Sequence, residues 1–435
     1  MNFSNCSEEN LLYQPKYFTE WRSEVLYGLA KWKNGLAFKK INFSNNGKPV
    51  IKIAELKNGL SAQTKYTRDE FDKSVFLTKG DMVFSWSGNP ETSIDIFWYS
   101  LPDGWLNQHI FKVTVDNGID EKFFYYILKF LKPNFTAIAS NKQTTGLGHV
   151  TIGDLKNIIV KLPELEEQKA IAHILSTLDD KIEVNNQINK TLENMAQTIF
   201  KQWFVDFEFP NEDGEPYKSS GGEMFESELG MIPKGWEVVL LEEVAEFQNG
   251  YAFKSKELLD EDQGDCFHVF KMGHIKKGGG LNKEGTKSYV PKTDYGNLSR
   301  YIVKKGDLLM CMTDMKSNVA LLGHTALMDE DNKYILNQRV GLIRTLDKEK
   351  MNYPYLFILT NSKGFIENLR SRANSGVQVN LSTKEIKESL LVMPQKEILE
   401  KFNCITENIF EEYFNLGKEN SFLTSLRDSL LDCQH

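Results

Sequence analysis

Asn34-Gly35-Leu36-Ala37-Phe38-Lys39 and Asn249-Gly250-Tyr251-Ala252-Phe253-Lys254 are one hexapeptide pattern written twice in a single chain. Three further pairs follow in the same order: Lys79-Gly80-Asp81 with Lys305-Gly306-Asp307, Leu106-Asn107-Gln108 with Leu336-Asn337-Gln338, and Lys161-Leu162-Pro163 with Val392-Met393-Pro394. The offsets are 215, 226, 230 and 231 residues, rising as insertions in the second copy require. A single shared tripeptide is common turn chemistry; four in register mark a duplicated unit.

Inside each copy, short β-branched and aromatic runs such as Val50-Ile51-Lys52-Ile53 and Tyr301-Ile302-Val303 alternate with Gly, Asn, Asp and Ser. Such punctuation marks strands and turns. Each copy has one late helical pattern, Glu121 to Phe130 and Tyr355 to Leu369. Each copy therefore reads as an α+β domain.

Beyond Pro163 the period changes. Ile171, Leu178, Leu192 and Ile199 share one seven-residue register with Asn185; Leu175, Ile182 and Trp203 form the interleaved row, with Ile174, Ile188 and Met195 alongside. This is a heptad pattern over roughly 40 residues, or about 60 Å of helix. Glu164, Glu166 and Glu167 suit the positive end of its dipole. Beyond Pro394, Phe402, Ile409, Leu416, Leu423 and Leu430 repeat every seven residues, with Ile398, Ile405 and Leu426 on a second row that Glu412 and Glu419 interrupt. Long apolar stripes need cover. The economical arrangement is an antiparallel pair holding the two domains apart, with Asn185 fixing register; the alternative is that each helix folds back on its own domain. The expected organisation is two similar α/β target domains separated by a long antiparallel two-helix coiled coil. Its parts are a first domain at 1–162, a central helix at 163–205, an acidic Gly/Pro/Ser linker at 206–233, a second domain at 234–393 and a C-terminal helix at 394–435.

The 435 residues carry a net charge of −8, which alone argues against a nucleic-acid partner. The distribution argues the other way. Lys31 to Lys73 holds ten Lys/Arg against four Asp/Glu, Phe270 to Lys305 holds nine against two, and Asp206 to Gly230 holds one against eight. A lone charge run is ordinarily a solvated face, but here two basic runs occupy corresponding places in two repeats. Cys6, Cys266, Cys311, Cys404 and Cys433 are scattered and odd in number, which fits reduced thiols rather than disulfides or zinc. No apolar run is long enough to span a membrane, and the polar start from Met1 to Lys16 does not read as a secretory signal, so a cytoplasmic location is expected.

Several segments resemble the specificity subunit of type I restriction-modification systems: Leu162-Pro163-Glu164-Leu165-Glu166-Glu167-Gln168-Lys169-Ala170-Ile171-Ala172, Leu178-Asp179-Asp180-Lys181-Ile182, Phe200-Lys201-Gln202-Trp203-Phe204-Val205-Asp206-Phe207, Pro216-Tyr217-Lys218-Ser219-Ser220-Gly221-Gly222, and Ser227 to Trp236. The resemblance implies that each domain reads one half of a split, asymmetric site in double-stranded DNA. It implies that the helices set the unread spacer and dock two modification subunits, which bind S-adenosylmethionine and methylate adenine. Two restriction subunits, the motor and endonuclease, join for cleavage. This chain would itself hold no cofactor and no catalytic centre.

No histidine spacing matches a metal motif, and Gly278-Gly279-Gly280 and Gly146-Leu147-Gly148 complete no phosphate loop. Asn352-Tyr353-Pro354-Tyr355 is similar to an amino-methyltransferase tetrad, but its second residue is wrong and a helix pattern follows, so it reads as a helix start. Asp81 and Asp307 read as turn residues. A self-sufficient methyltransferase is thereby disfavoured; a coiled-coil adaptor with protein- or glycan-binding domains is the standing alternative. Base reading needs Arg, Lys, Asn, Gln, Ser or Thr on loops that match in place but differ in sequence. Three loops qualify. The first holds Lys39 and Lys40, matched by Lys254 and Lys256; the second Ser87, Gly88 and Asn89, matched by Thr313, Lys316 and Asn318. The third holds Asn141, Lys142, Gln143 and Thr144, matched by Arg370, Arg372, Asn374 and Ser375. Gln143, Arg372 and Asn374 are the expected base readers, and the lysines the expected phosphate contacts.

Overall fold

Strands Ala30–Asn34 (β1), Met82–Ser85 (β2), Asp95–Trp98 (β3) and Ile110–Val115 (β4) form an antiparallel sheet in the order β1-β4-β2-β3. Ala245–Asn249 (β5), Leu308–Cys311 (β6), Thr325–Leu327 (β7) and Val340–Thr345 (β8) form a second in the order β5-β8-β6-β7. The strand order is the same, which places the duplication in the fold as well as in the motifs. The computed structural model describes residues 21–143, 146–283, 285–295, 298–315, 319–346, 351–375 and 378–432. It comprises two units, one of residues up to Glu183 together with those from Ser421 onward, the other of Val184–Asn420.

In the first unit the central strand is buried on both faces, and its side chains alternate between two cores. Met82 and Phe84 pack with Phe123, Phe124, Ile127 and Leu128 of helix Glu121–Phe130 (α1). Val83 packs with Ile51, Tyr99, Trp105 and Ile110 on the other side. There, Lys48–Ile51 runs parallel to Gly104–Leu106 and Phe76–Leu77 antiparallel to it. The domain is thus three layers: helices, four-stranded sheet, small mixed sheet. Asp120 caps α1, and a second helix, Lys132–Asn141 (α2), follows at once, which the pattern did not reveal.

The second unit repeats the layers. Leu308 and Met310 face the helical core, Leu309 and Cys311 the small sheet, in which Cys266–Phe270 runs parallel to Tyr334–Leu336. The helix expected from Tyr355 to Leu369 is two helices, Tyr353–Thr360 (α3) and Lys363–Ser371 (α4). Ser362 breaks it by adopting extended backbone and accepting from the Phe365 N–H as a cap. Asn352 caps α3, as its reading as a helix start requires.

The long helices are Leu165–Phe200 and Lys396–Asp432. In the first unit Gln168 is fully buried: its amide donates to Pro163 O and its oxygen accepts from Asp120 N–H. Asp179 of the central helix accepts from Tyr126 of α1 and from Arg427 of the C-terminal helix, both at 2.7 Å. In the second unit Asn185 donates to Glu419 at 2.7 Å and Asn420 at 2.9 Å, while Phe200 meets Phe402, so the two helices run antiparallel. Glu419, expected as an interruption, is the partner of the buried Asn185.

The seam is narrower than the heptads imply. Ile174, Ile188 and Met195 on the central helix, and Ile405 and Leu426 on the C-terminal helix, are exposed. Pairing with one partner covers only a thin stripe. In the second unit the C-terminal helix also folds onto its domain: Phe410 meets Tyr353 and Phe357 of α3, which brings Thr406, Phe410 and Phe414 inside. Pairing and folding back therefore coexist. The central helix ends in a π turn, Lys201–Val205, which turns both Trp203 and Phe204 inward.

Composition marks 206–233 as a linker, yet the segment is ordered. Phe209 stacks on Tyr217 at 4.5 Å and on Trp236 at 5.1 Å, and Met224–Ser227 pairs with Gly230–Pro233 as a hairpin. The few aromatic residues of the segment outweigh its polar composition.

His268 and His274 bring their Nε2 atoms to 3.3 Å, with His268 stacked on Tyr289 and Tyr334. Lys271 N–H donates to His274 Nδ1. Burial pushes His268 down to about 4, and the facing His274 and the Lys333 and Lys287 cations add to this against a backbone bond at Thr286. A base held below its ordinary 6.5 contributes stability fully above that pH and loses it as pH falls toward the folded value, because the unfolded chain then binds the extra proton.

Two outcomes follow from this packing. A Cβ on Gly35 would lie 2.2 Å from Asn107 O, whereas one on Gly28 would meet nothing within 4 Å. In urea unfolding, Gly35→Ala costs about 2 kcal/mol or more, and Gly28→Ala changes stability by well under half of that. Separately, the stability difference between wild type and His268→Gln shrinks as the pH falls from about 6.5 to about 4. A difference constant across that window would contradict a neutral histidine pair.

Candidate nucleic-acid interface

The repeated Leu-Asn-Gln turn is the point where the loops of each domain meet. In the first domain Leu36 N–H donates to Leu106 O, and Gln108 N–H returns a bond to Leu36 O. Gly35 is required because Asn107 O leaves no room for a side chain. His109 O then accepts from Trp86 N–H, and Trp86 O from Val150 N–H. Strand Ser87–Gly88 pairs with Gly148–His149. One turn thereby ties the loop after β1, the loop after β2 and the segment following α2.

The second domain repeats this bond for bond. Tyr251 N–H donates to Leu336 O, Gln338 N–H to Tyr251 O, Met312 N–H to Arg339 O, and Leu381 N–H to Met312 O. Gly250 sits against Asn337 O as Gly35 does against Asn107 O. Thr313–Met315 pairs with Gln378–Asn380. The Lys-Gly-Asp turns serve the same frame. Asp81 accepts from Thr78 N–H and from Lys112 of β4 at 2.8 Å; Asp307 accepts from Lys304 N–H and, through both oxygens, from Arg344 of β8.

The expected DNA residues fall into distinct groups. Lys39 and Lys254 close the repeated hexapeptide and lead into short 3-10 turns that carry Lys40 and Lys256, and all four are exposed. Asn141 and Gln143 are exposed. Ser87, Gly88 and Thr313 lie in the strand pairs that join the second and third loops. Asn89 caps the helix Pro90–Ser93. Lys142 pairs with Asp154; burial opposes ionisation of that carboxyl, but bonds from Lys142 and Thr151 outweigh it and hold it below the usual range. Arg370 donates to Leu322 O and Ala320 O, and Arg372 to Glu388 O. Asn374 and Ser375 lie in a strand pairing with Val379–Asn380, with only their backbone described. Thr144, Lys316 and Asn318 lie outside the described residues.

Sequence reasoning passed over Gln108, His109, Gln338 and Arg339. Gln338, His109 and Arg339 are exposed and Gln108 is partly so. The signal was available: Leu-Asn-Gln is shared, and the next residue is where the copies part, His109 against Arg339. Such a rim of amides, guanidinium and ammonium groups can hydrogen-bond base edges and phosphates. Among the described residues no group of three or more His, Cys, Asp or Glu is arranged to hold a metal ion, and no helix is long and apolar enough to cross a membrane.

A family model described as type I restriction modification DNA specificity domain matches residues 19–194 and again 233–412. The MjaVIII specificity subunit of Methanocaldococcus jannaschii is 28% identical, with 85% of each chain covered. The EcoBI specificity subunit of Escherichia coli is 23% identical over 96% of this chain and 86% of that relative. The S subunit of a type I restriction-modification system from M. genitalium shares the fold at a TM-score of 0.50 and 17% identity, covering 94% of this chain and 95% of the other. Matched twice by the family pattern, once on each copy of the duplicated domain, the chain belongs to the specificity subunits of type I restriction-modification systems.

Proposed function

We propose that the chain reads a bipartite, asymmetric site in double-stranded DNA, one domain per half-site, and itself performs no chemistry. The observation that carries this reading is the loop frame built twice with the same hydrogen bonds and different exposed side chains. An invariant frame with a variable surface allows two nonidentical half-sites to be read without a palindrome, by the same geometric logic that fixes half-site spacing in dimeric readers. Lys39, Lys40, Lys254 and Lys256 supply phosphate contacts; Gln143 and Asn374 remain proposed base readers. Arg370 and Arg372 take part only by giving up a carbonyl partner.

The paired helices serve as the spacer and as the dock for two modification subunits, which hold S-adenosylmethionine and methylate adenine; two restriction subunits join for cleavage. Support for the dock comes from the central helix, where Val184, Ile188 and Met195 are exposed, with exposed Thr191 between the last two and exposed Thr198 beyond them. A soluble helix leaves such a stripe uncovered where another chain binds.

The test is methylation mapping of DNA from cells carrying this chain with its cognate modification subunit. The expected motif is two unlike half-sites around unread bases; a contiguous or palindromic motif would end the proposal. Lengthening both helices by seven residues adds about 10 Å, or roughly three base pairs of spacer, leaving both half-sites unchanged. Binding to duplex DNA falls linearly on a log–log salt plot, with a slope near −5 for about six phosphate contacts; a flat plot favours a protein- or glycan-binding adaptor instead. Ile188→Glu with Met195→Glu prevents co-elution with the modification subunit while the salt-dependent DNA binding persists.

A further inference from the structure

We infer that the residue following the repeated Leu-Asn-Gln, Arg339 in the second domain and His109 in the first, is the position that sets base choice in each half-site. The inference rests on the reading of the chain as a two-domain DNA reader and names where in each domain that reading is made.

The backbone at this position is fixed from two sides. Gln338 N–H is held by Tyr251 O at 2.9 Å, and Arg339 O holds Met312 N–H at 3.1 Å. Gln108 N–H is held by Leu36 O at 2.9 Å, and His109 O holds Trp86 N–H at 3.3 Å. A side chain on such a frame departs from the same place whatever its identity, which is what a selectable reading position needs. Arg339 is exposed; its backbone N–H donates to Asn337 Oδ1, but its guanidinium has no hydrogen-bond or ion-pair partner among the described residues, in contrast to those of Arg370 and Arg372, which donate to backbone carbonyls. It borders a cleft of about 250 Å³ lined also by Leu258, Lys271, Met272, Asn337 and Gln338.

The chemistry differs between the copies in a way that bears on base choice. A guanidinium presents two parallel donors that match O6 and N7 of guanine, and the amide of the neighbouring Gln338 matches N6 and N7 of adenine. His109 offers a single ring atom beside Gln108, with their Nε2 atoms 3.2 Å apart, and its ring lies 5.6 Å from that of Trp86. An imidazole so held makes one bond and discriminates less steeply than a fork. The second half-site therefore contains a guanine whose edge Arg339 reads, and the first half-site does not owe its choice to a bidentate contact at this position.

The experiment is selection of bound sequences from random duplex DNA by the full chain and by Arg339→Ala, Arg339→Lys and His109→Arg. Wild type selects two half-sites. Arg339→Ala loses preference at one or two adjacent positions of one half-site, by roughly 10-fold to 100-fold, and leaves the other half-site unchanged. Arg339→Lys keeps the charge but not the fork and loses the same preference; it carries the test if the alanine variant does not fold. His109→Arg alters only the other half-site. An unchanged motif in both Arg339 variants overturns the inference, as does uniform weakening across all sequences, which marks a phosphate contact. Absence of any bipartite motif with wild type overturns the underlying reading instead.

Discussion

Two backbone segments approach so closely at Gly35 and Asn107, and again at Gly250 and Asn337, that a methyl group would sit 2.2 Å from a carbonyl oxygen. That approach lets the strand after each Asn-Gly pair in parallel with the Leu-Asn-Gln segment, through the Leu36–Asn107 and Tyr251–Asn337 bridges. From this contact the rest of each domain follows. It anchors the first loop, positions the residue that bonds the second loop, and through the second loop orders the third. Without the glycine the two segments would separate and the frame would lose its common reference point.

The helical pair is built on a different principle. Its buried face in the second unit contains small and polar residues, Asn185 and Ala196, whereas Ala172 of the same helix is buried in the core of the first domain. Asn185 uses its amide hydrogens on Glu419 and Asn420, but its oxygen has no partner among the described residues. A buried acceptor left unpaired costs about 1–3 kcal/mol, so this layer is not explained by stability. Registry is the role such residues fill best in paired helices: a shift by one turn would leave Asn185 buried without Glu419. Aromatic packing at Phe204, 4.8 Å from both Tyr355 and Phe402, supplies the compensating burial within the second unit.

The duplication, the α+β class and the long helices were legible because each leaves a periodic or repeated trace. The bounds of α1 were legible from the helical spacing of Phe123, Phe124, Ile127 and Leu128, and the Asp120 cap fixes its start in the structure. Other features leave none. Ser362 inside an apolar helical run looks tolerable until the chain turns there to cap α4. The exposed Ile174 and Met195 are apolar like the buried Leu175 and Ala196 beside them in sequence, and only the direction in which each side chain faces separates them. Arg372 was chosen for its chemistry and its loop, yet its guanidinium closes the carbonyl end of a short helix, a partner sixteen residues away that no local pattern announces. Side-chain partnership is a tertiary property, so loop position alone overstates the number of available cations.

The same correction resolves the conflict between a net charge of −8 and a polyanionic ligand. Many cations of the two basic runs are matched at home: Lys33 with Asp72, Lys48 with Glu70, Lys283 with Asp329 and Glu330, and Lys292 with Asp265. Further acids are taken up by the frame itself, as Asp81 is by Lys112 and Asp307 by Arg344. Local counts of charge therefore say where charge is dense rather than where it is available. What matters to a phosphate or a base edge is the residue left after internal partners are removed, because only an unpartnered donor gains a bond on binding without first breaking one. By that measure single exposed donors such as Arg339, Lys39 and Lys40 matter more than the density of charge around them, and the overall sign of the chain says little about what its loops can bind.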